Sequence, residues 1–467
     1  MTVVVCAPSP PAFGKLGKTL TLIAILYAVI LTFLPAHAQP PPDYRARAAQ
    51  LVDVLAAPGR EDQLFSPIFL SAVPVAQWRA LAAQWRAAHG APQSLAHVRM
   101  ESATIGAVEV RYARATLGFQ LVIAPRAPHR VIGLRLVGVK RSGDSAGEVM
   151  AELNALPGGV ALAAMRLTDS GPVPIHVIAP DGQMATGSSF KLYVLAELAR
   201  ATAAGERAWS DVTPLGPKSF SGRLSTYPQG APMTLHSLAL AMIAESDNSA
   251  SDTLLRALGR DRVDAMLRAT GHAAPDAALP LLTTAEAFAL KMPAQAALRA
   301  TYAAATPQAR ADLIRANADT LTAASIDVGQ VAETPTAIDS IEWFAAPMDM
   351  VRLLDWLRVR GGEALPIMAV NPGIAPADAA RWRYLGYKGG SEPGVIAMNL
   401  LGQRQDGEWI ALSASWNNPA ALVDEGRFVA LVTRMLNLLA EAPPPKPRSS
   451  EPQSSEPQSS EPRSSKP

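Results

Sequence analysis

The stretch DGQMATGSSFKLYVLAEL, residues 181–198, places a serine three residues before a lysine at the start of an apolar run. Lys191 is the only one of the nine lysines that has a serine, Ser188, in that position. Residues three apart share one face of a helix, and a serine in the first turn also meets the unpaired N–H groups and positive dipole end of the helix. A lysine one turn on could remove the serine's proton if desolvation lowers its pKa. Taken alone, a serine and a lysine at this spacing could equally be ordinary residues on a helix surface.

Two further segments carry polar residues next to regular elements. MIAESDNSASDTLLRALG, residues 242–259, joins two helical runs, and YLGYKGGSEPGV, residues 384–395, follows an aromatic strand with Lys388 and two glycines. Ser, Asp and Asn are good N-caps, so Ser246 and Asn248 could mark only a helix boundary. Lys388 could likewise precede only a Gly-Gly hairpin turn. In the chemical alternative, the serine relays a proton, the asparagine binds a substrate amide, and the glycines let a backbone approach a substrate closely.

The order of these segments, SxxK, then SDN, then Lys-Gly-Gly, resembles that of class A serine β-lactamases and penicillin-binding proteins. GSSFKLYVL and SDNSASDTLLRALG resemble the two helices that carry the first two motifs in that family. The resemblance covers about residues 150–440. With an additional N-terminal domain, the chain is most similar to the two-domain β-lactamase-like proteins of clavulanic acid gene clusters.

The resemblance implies a role for each matching residue. Ser188 would be the acylated nucleophile, Lys191 the acylation base, and Ser246 the proton shuttle. The oxyanion hole would consist of two backbone N–H groups, those of Ser188 and Ser391. The implied catalytic residues are Ser188, Lys191, Ser246 and Lys388, and the implied substrate-binding residues are Asn248, Gly390 and Ser391.

The chain departs from the family pattern in two respects. Gly389 replaces a residue whose hydroxyl contacts the substrate carboxylate in the family, and Ser391 is a candidate replacement. The ExxLN motif, whose glutamate activates water for deacylation, is missing from the sequence. An inserted helical lid is predicted over residues 279–317. Candidates for the missing base are Glu333, Asp339 and Glu342, and the last could instead be a loop anchor beside Trp343.

The whole chain fits an α+β protein with two domains. Its 467 residues are 49% hydrophobic, which is enough to bury a core. Residues 43–141 read as two helices followed by four strands, a cystatin- or NTF2-like α+β domain. Residues 146–442 have strands at both ends and helices between them, which predicts one sheet built from both ends with an all-helical insert. The resemblance implies that this unit is a β-lactamase-like sandwich with an antiparallel sheet and an all-helical subdomain. Residues 443–467 repeat Ser, Pro and charge, which predicts a disordered tail.

Residues 1–38 have the composition of a secretory signal. They combine two lysines, the apolar stretch Thr19–Leu34 and an Ala-His-Ala sequence. An uncleaved anchor is the alternative, but the apolar stretch is shorter than the roughly 20 residues that span a bilayer. The sequence therefore predicts a secreted protein, periplasmic or extracellular, without a stable membrane span.

Composition argues against several other functions. Cys6 is the only cysteine, so the mature chain would have neither a disulfide nor a thiolate metal site. Without the two lysines of the signal, the 42 basic residues become 40 against 40 acidic ones, which gives no field for nucleic acid. The seven histidines show no metal-binding spacing, and no cofactor is expected.

The leading hypothesis is a serine hydrolase that forms an acyl-enzyme at Ser188 with a small-molecule substrate, a β-lactam or a related ester or amide. The alternatives are a slow acyl trap, a penicillin-binding protein or an esterase without an efficient deacylation base. In a third hypothesis the N-terminal domain binds a ligand or a partner, and the hydrolase fold only supports it. The oligomeric state is left open.

Overall fold

The computed structural model of the chain describes residues 44–141 and 143–441, and the predicted signal and tail lie outside them. The first group of elements consists of helices followed by an antiparallel sheet. In chain order these are α1 (Tyr44–Ala56), α2 (Glu61–Leu64), α3 (Pro67–Ala72), α4 (Val75–His89), β1 (Pro92–Met100), β2 (Ile105–Tyr112), β3 (Ala115–Ile123) and β4 (Val131–Arg141). The strands pair in sequence order, as the predicted meander requires.

Side chains alternate strictly between buried and partly buried along β3, which places one face of this sheet on the helices. Aromatic rings continue that core between the layers. Trp85 packs edge-on against Trp78 and Phe119, and Phe65 contacts Trp78. The two short helices α2 and α3 were not predicted, because four to six residues are too few to show a helical period. The cystatin- or NTF2-like assignment of this unit stays a prediction.

The second group of elements starts with a helix and two strands and ends with three strands and a helix. In chain order these are α5 (Ala146–Asn154), β5 (Gly159–Thr168), β6 (Gly171–Ile178), β7 (Met184–Ala185), α6 (Lys191–Ala203), β8 (Val212–Pro214), β9 (Pro232–Thr234), α7 (Leu235–Ala244), α8 (Asn248–Leu258), α9 (Arg260–Ala269), α10 (Pro275–Ala278), α11 (Thr284–Lys291), α12 (Ala296–Ala304), α13 (Pro307–Ala316), α14 (Val328–Glu333), β10 (Phe344–Ala345), α15 (Pro347–Arg360), α16 (Ala364–Ala369), α17 (Pro376–Ala379), β11 (Tyr384–Glu392), β12 (Val395–Gln403), β13 (Trp409–Asn417) and α18 (Glu425–Glu441). Short 3₁₀ turns cover Gly187–Phe190, Arg223–Thr226, Pro293–Gln295 and Ala323–Ser325.

One five-stranded antiparallel sheet, in the order β11-β12-β13-β5-β6, unites the two ends of this unit. Its strands come from both ends, which confirms the prediction of a sheet shared by the termini with helices between them. One face packs on α5 and α18, and the other packs on α6, α15 and the helical region. Both faces are therefore covered, and eight of the nine residues of β12 are buried.

The strand β11 lies at the edge of the sheet and faces the helical region. This edge is where the three sequence motifs meet. Within the described part of the chain, no helix has both the length and the hydropathy of a membrane span.

Candidate active site

The SxxK segment forms a tight turn that leads into α6. Ser188 lies in the 3₁₀ turn Gly187–Phe190, half-buried, and the α-helix proper begins at Lys191. The turn is fixed from behind, because Phe190 stacks on Trp343 with ring centroids 4.2 Å apart and Thr186 Oγ1 donates to the carbonyl of Trp343 at 2.6 Å. The nucleophile candidate is thus held by packing at the end of a helix, as the sequence predicted.

The amine of Lys191 reaches the SDN segment. Its Nζ donates to the carbonyl of Ser246 at 2.6 Å, to Oδ1 of Asn248 at 2.6 Å and to Oγ of Ser246 at 3.3 Å. Burial lowers the pKa of Lys191 to about 7, although the negative charges of Asp252 and Asp247 oppose the shift. A fraction of this amine is therefore neutral near neutral pH and able to accept a proton. None of its hydrogen bonds among the described residues goes to Ser188.

The SDN segment is both a helix boundary and part of the site. Asp247 is the N-cap of α8, and its carboxylate accepts from the N–H groups of Ala250 and Leu224 at 2.9 and 2.7 Å. Ser246 adopts φ = 57°, a left-handed conformation that is rare outside glycine and that clusters at functional sites. Asn248 Nδ2 donates to Oγ of Ser221 at 2.7 Å, so Ser221 is a neighbour of the site that the motif did not predict.

The third motif lies inside a strand. β11 runs through both glycines to Glu392 and reverses direction only at residues 393–394, so the alternative of a Gly-Gly hairpin turn is wrong. Lys388 Nζ donates to Oγ of Ser246 at 3.0 Å and to the carbonyl of Gly389. Burial holds the pKa of Lys388 well below its usual range, and the positive charge of Lys191 lowers it further. The hydroxyl of Ser246 thus lies between two buried amines.

The backbone of β11 lies directly against the nucleophile turn. A Cβ atom added to Gly390 would stand 2.3 Å from both the nitrogen of Ser188 and the carbonyl oxygen of Thr186. A Cβ on Gly187 would stand 3.2 Å from the nitrogen of Ser391. The two N–H groups predicted to form the oxyanion hole therefore belong to segments in van der Waals contact, and only glycine fits between them.

At Gly389, where the family has a hydroxyl-bearing residue, the neighbouring space is filled by another side chain. A Cβ on Gly389 would stand 2.0 Å from Oη of Tyr387, so the phenol occupies the space that a longer side chain would take. Ser391, the candidate replacement, is exposed at the end of the same strand. Tyr387 is thus the hydroxyl-bearing residue in contact with position 389.

Asn399 on β12 ties the first and third motifs together. Its Nδ2 donates to Oγ of Ser189 at 2.9 Å and to the carbonyl of Lys388 at 3.2 Å, and its Oδ1 accepts from Ser413 Oγ at 2.8 Å. The sequence analysis missed this residue. Its signal was a single amide inside the otherwise apolar run VIAMNLLG.

The three candidate deacylation bases lie in different places. Glu342 is buried, and its carboxylate accepts from the N–H groups of Gly187 and Trp343 at 3.2 and 3.1 Å and from Lys291 at 2.9 Å. It therefore serves as the loop anchor that the sequence offered as an alternative. Glu333 is exposed on a cavity of about 440 Å³, and Asp339 is exposed on another. Neither has a hydrogen bond to Ser188 among the described residues.

The described residues contain no group of three or more His, Cys, Asp or Glu side chains that could hold a metal ion. The chemistry that this arrangement can perform is proton transfer and acyl transfer. A hydroxyl at a helix N-terminus, two buried amines of lowered pKa and a pair of backbone donors suit the attack of an oxygen on a carbonyl carbon.

Comparisons with known proteins give one family match and a set of similar solved structures. Residues 148–325 match the model of the Beta-lactamase enzyme family. No curated protein matches the chain. Similar solved structures include a β-lactamase from Sphaerobacter thermophilus, with 18% identity over 64% of this chain and 98% of that chain and a TM-score of 0.46. A β-lactamase from Chitinophaga pinensis has 16% identity over 63% and 97% with a TM-score of 0.42, and PBP-A has 13% over 63% and 93% with a TM-score of 0.41.

The family match covers the SxxK and SDN segments, which the structure joins to the Lys-Gly-Gly strand through Ser246. Residues 148–325, which carry the first two motifs, are therefore similar to the Beta-lactamase enzyme family.

Proposed function

We propose that the protein is secreted and forms an acyl-enzyme at Ser188 with a β-lactam or a related ester or amide. The observation that carries this proposal is the position of the Ser246 hydroxyl, 3.3 Å from the amine of Lys191 and 3.0 Å from that of Lys388, at the site where the nucleophile turn meets β11. Secretion rests on the composition of residues 1–38 alone.

The acylation step then follows from the groups present. Oγ of Ser188 attacks the carbonyl carbon, its proton passes to the neutral amine of Lys191, and the carbonyl oxygen becomes an oxyanion that accepts from the N–H groups of Ser188 and Ser391. The C–N or C–O bond breaks as the leaving atom takes a proton through the hydroxyl of Ser246. The product is an ester at Ser188. An acyclic ester or amide releases its alcohol or amine, whereas the amine of a β-lactam stays attached to the acyl group because the broken C–N bond lies in the ring. Each oxyanion donor in such sites contributes roughly 3 kcal/mol to lowering the barrier.

The second candidate function is a slow-turnover acyl trap or a protein of the penicillin-binding type. The state of the candidate bases favours it. The carboxylate of Glu342 is already engaged by three donors, and Glu333 and Asp339 are exposed and have no hydrogen bond to Ser188 among the described residues. A water molecule near Ser188 would then lack an efficient base, and the ester would persist.

The test is incubation of the purified protein with a chromogenic cephalosporin and, separately, with a p-nitrophenyl ester. The absorbance change of each substrate and the intact mass of the protein are then measured. Acylation at Ser188 predicts a mass increase equal to the acyl group, absent in Ser188→Ala and retained in the exposed control Ser170→Ala. Continuous colour release supports a hydrolase, and one equivalent of release with a lasting mass gain supports the trap. Labelling of Ser188→Ala at the wild-type rate would refute the assignment of the nucleophile.

A further inference from the structure

Behind the nucleophile turn lies a second cluster of charged side chains that the motifs do not include. Lys291, at the end of α11, contacts two carboxyl groups, Glu342 at 2.9 Å and Glu392 at a shorter distance. The three side chains are 4%, 0% and 5% exposed. A buried group of this kind is costly to form and strongly destabilising to break, because each removal leaves a charge without a partner.

Each carboxyl group of this cluster is linked to a different one of the two segments that carry the predicted oxyanion donors, the nucleophile turn and β11. Glu342 accepts from the N–H of Gly187, the residue directly before Ser188. Glu392 follows Ser391 directly on β11. The nucleophile turn and β11 are in contact where Gly187 and Gly390 approach each other. The ammonium group of Lys291 donates to both carboxyl groups and so links the two segments.

The charges in the cluster are compatible with one proton shared between the two carboxyl groups. Burial raises the pKa of Glu392 well above its usual range, and the neighbouring negative charge of Glu342 raises it further. Burial acts on Glu342 in the same direction, but Lys291 and the hydrogen bonds of the carboxylate outweigh it and lower that pKa. Of the two carboxyl groups, Glu392 is therefore the one that more readily holds a proton, and Glu342 is the one that more readily carries the negative charge.

We propose that Lys291, Glu342 and Glu392 form a brace that sets the separation of the two oxyanion donors, the N–H groups of Ser188 and Ser391. They are positioning residues, since they would act through the backbone of the nucleophile turn and of β11. The inference rests on the proposed function, because an oxyanion hole matters only if an acyl carbonyl is attacked. It extends that function by assigning the two donors a common support.

The experiment measures the acylation rate constant of full-length variants with the p-nitrophenyl ester, together with the affinity for a boronic acid that forms a tetrahedral adduct on Ser188. Lys291→Met removes the bridge. We expect acylation to fall about 100-fold, the cost typical of one lost oxyanion donor, and boronic acid affinity to fall with it. The KM for the ester should change much less, because the ground-state carbonyl depends little on these donors.

Two further comparisons separate positioning from loss of stability. Glu392→Gln keeps a neutral group that can donate to Glu342 and accept from Lys291, so it should acylate within about 3-fold of wild type, whereas Glu392→Leu should be slowed about 100-fold. Arg434→Met is the control, since Arg434 is a largely buried cation that is likewise paired with two carboxylates, Asp144 and Glu152, on the opposite face of the sheet. It should lower Tm without changing acylation.

The outcomes are distinguishable. If Lys291→Met and Glu392→Leu acylate at the wild-type rate, or are slowed no more than Arg434→Met, the brace is refuted while the proposed function stands. If Lys291→Met does not fold, the contrast between Glu392→Gln and Glu392→Leu decides. If the wild-type protein is not acylated by either substrate, the proposed function itself fails, and that result is known before any variant is compared.

Discussion

At the scale of single residues, the site is defined by two amines deprived of water. Lys191 and Lys388 both donate to the hydroxyl of Ser246, and the positive charge of Lys191 lowers the pKa of Lys388. Burial provides the larger part of the shift in both cases. An ordinary lysine would be fully protonated at neutral pH and unable to act as a base, so the chemistry depends on the core that surrounds these side chains.

This arrangement predicts the pH dependence of acylation. Since the neutral amine of Lys191 accepts the proton, the rate should rise with pH and reach half its maximum near the pKa of about 7. Because two amines interact, the measured midpoint belongs to the pair. The measurement is the rate of p-nitrophenol release in the first turnover between pH 5.5 and 9. Lys191→Arg, which keeps a fixed positive charge, should not be acylated at any of these values, and a flat wild-type profile would contradict the assignment.

The lowered pKa of Lys191 also makes the stability of the fold depend on pH. The pKa of Lys191 in the fold is below its unfolded value near 10.5, so the unfolded chain binds more protons between those two values. The contribution of this residue to stability therefore increases as the pH rises from about 7 toward 10.5, and is at its lowest below 7.

Some residues of the site could be predicted from the sequence, and others could not. Ser188, Lys191, Ser246 and Lys388 were found because each belongs to a short pattern of recognisable chemistry, and the structure brings the last three into contact. Lys291 and Glu392 could not be found in this way. They stand 101 positions apart in the chain, and their pairing exists only once α11 and β11 are packed. Lys291 ends an apolar run and Glu392 follows a Gly-Gly-Ser sequence, and neither context indicates a partner.

At the scale of elements, the site lies at a joint, by which we mean the contact between the turn at the start of α6 and the edge strand β11. The motif Lys-Gly-Gly was compatible with a turn, since two glycines often end a strand. In the fold they remain in the strand for a different reason, because a side chain at Gly390 would collide with the nucleophile turn. The shared sheet could be predicted from the order of strand-like runs, whereas α2 and α3 and the close approach of β11 depend on tertiary packing.

Gly390→Ala tests this joint. The new methyl group would meet two backbone atoms of the nucleophile turn at 2.3 Å, and backbone atoms cannot move aside as a flexible side chain can. We expect acylation to fall by about 100-fold through displacement of one oxyanion donor. The control is Gly138→Ala on β4, where an added Cβ meets no atom within 4 Å. Equal acylation rates in wild type and Gly390→Ala would show that the contact does not support catalysis.

At the scale of the whole molecule, the chain has separate hydrophobic cores. The buried residues between Tyr44 and Val131 form one cluster with no member from the second group of elements. Contacts between the groups include Lys140 with Glu441, an ion pair whose side chains are 62% and 46% exposed. Exposed pairs of this kind contribute roughly 0–1 kcal/mol. A cavity of about 520 Å³ also lies between β4 and α18.

This division predicts that residues 143–441 fold and react without the N-terminal elements. The sheet, the three motifs and the brace all lie within that segment, and so does the buried pairing of Arg434 with Asp144, which ties its first residues to α18. We expect the segment to be acylated within about 3-fold of the full-length rate, because the removed contacts are few and exposed and therefore worth little. The measurement is intact-mass labelling with the ester, together with thermal unfolding of both chains. Since two independent cores should unfold separately, the full-length protein should show a transition that the segment lacks. A segment that is folded but unreactive would instead mean that the N-terminal elements contribute to the chemistry, and the third hypothesis, in which they bind the ligand, would gain its first support.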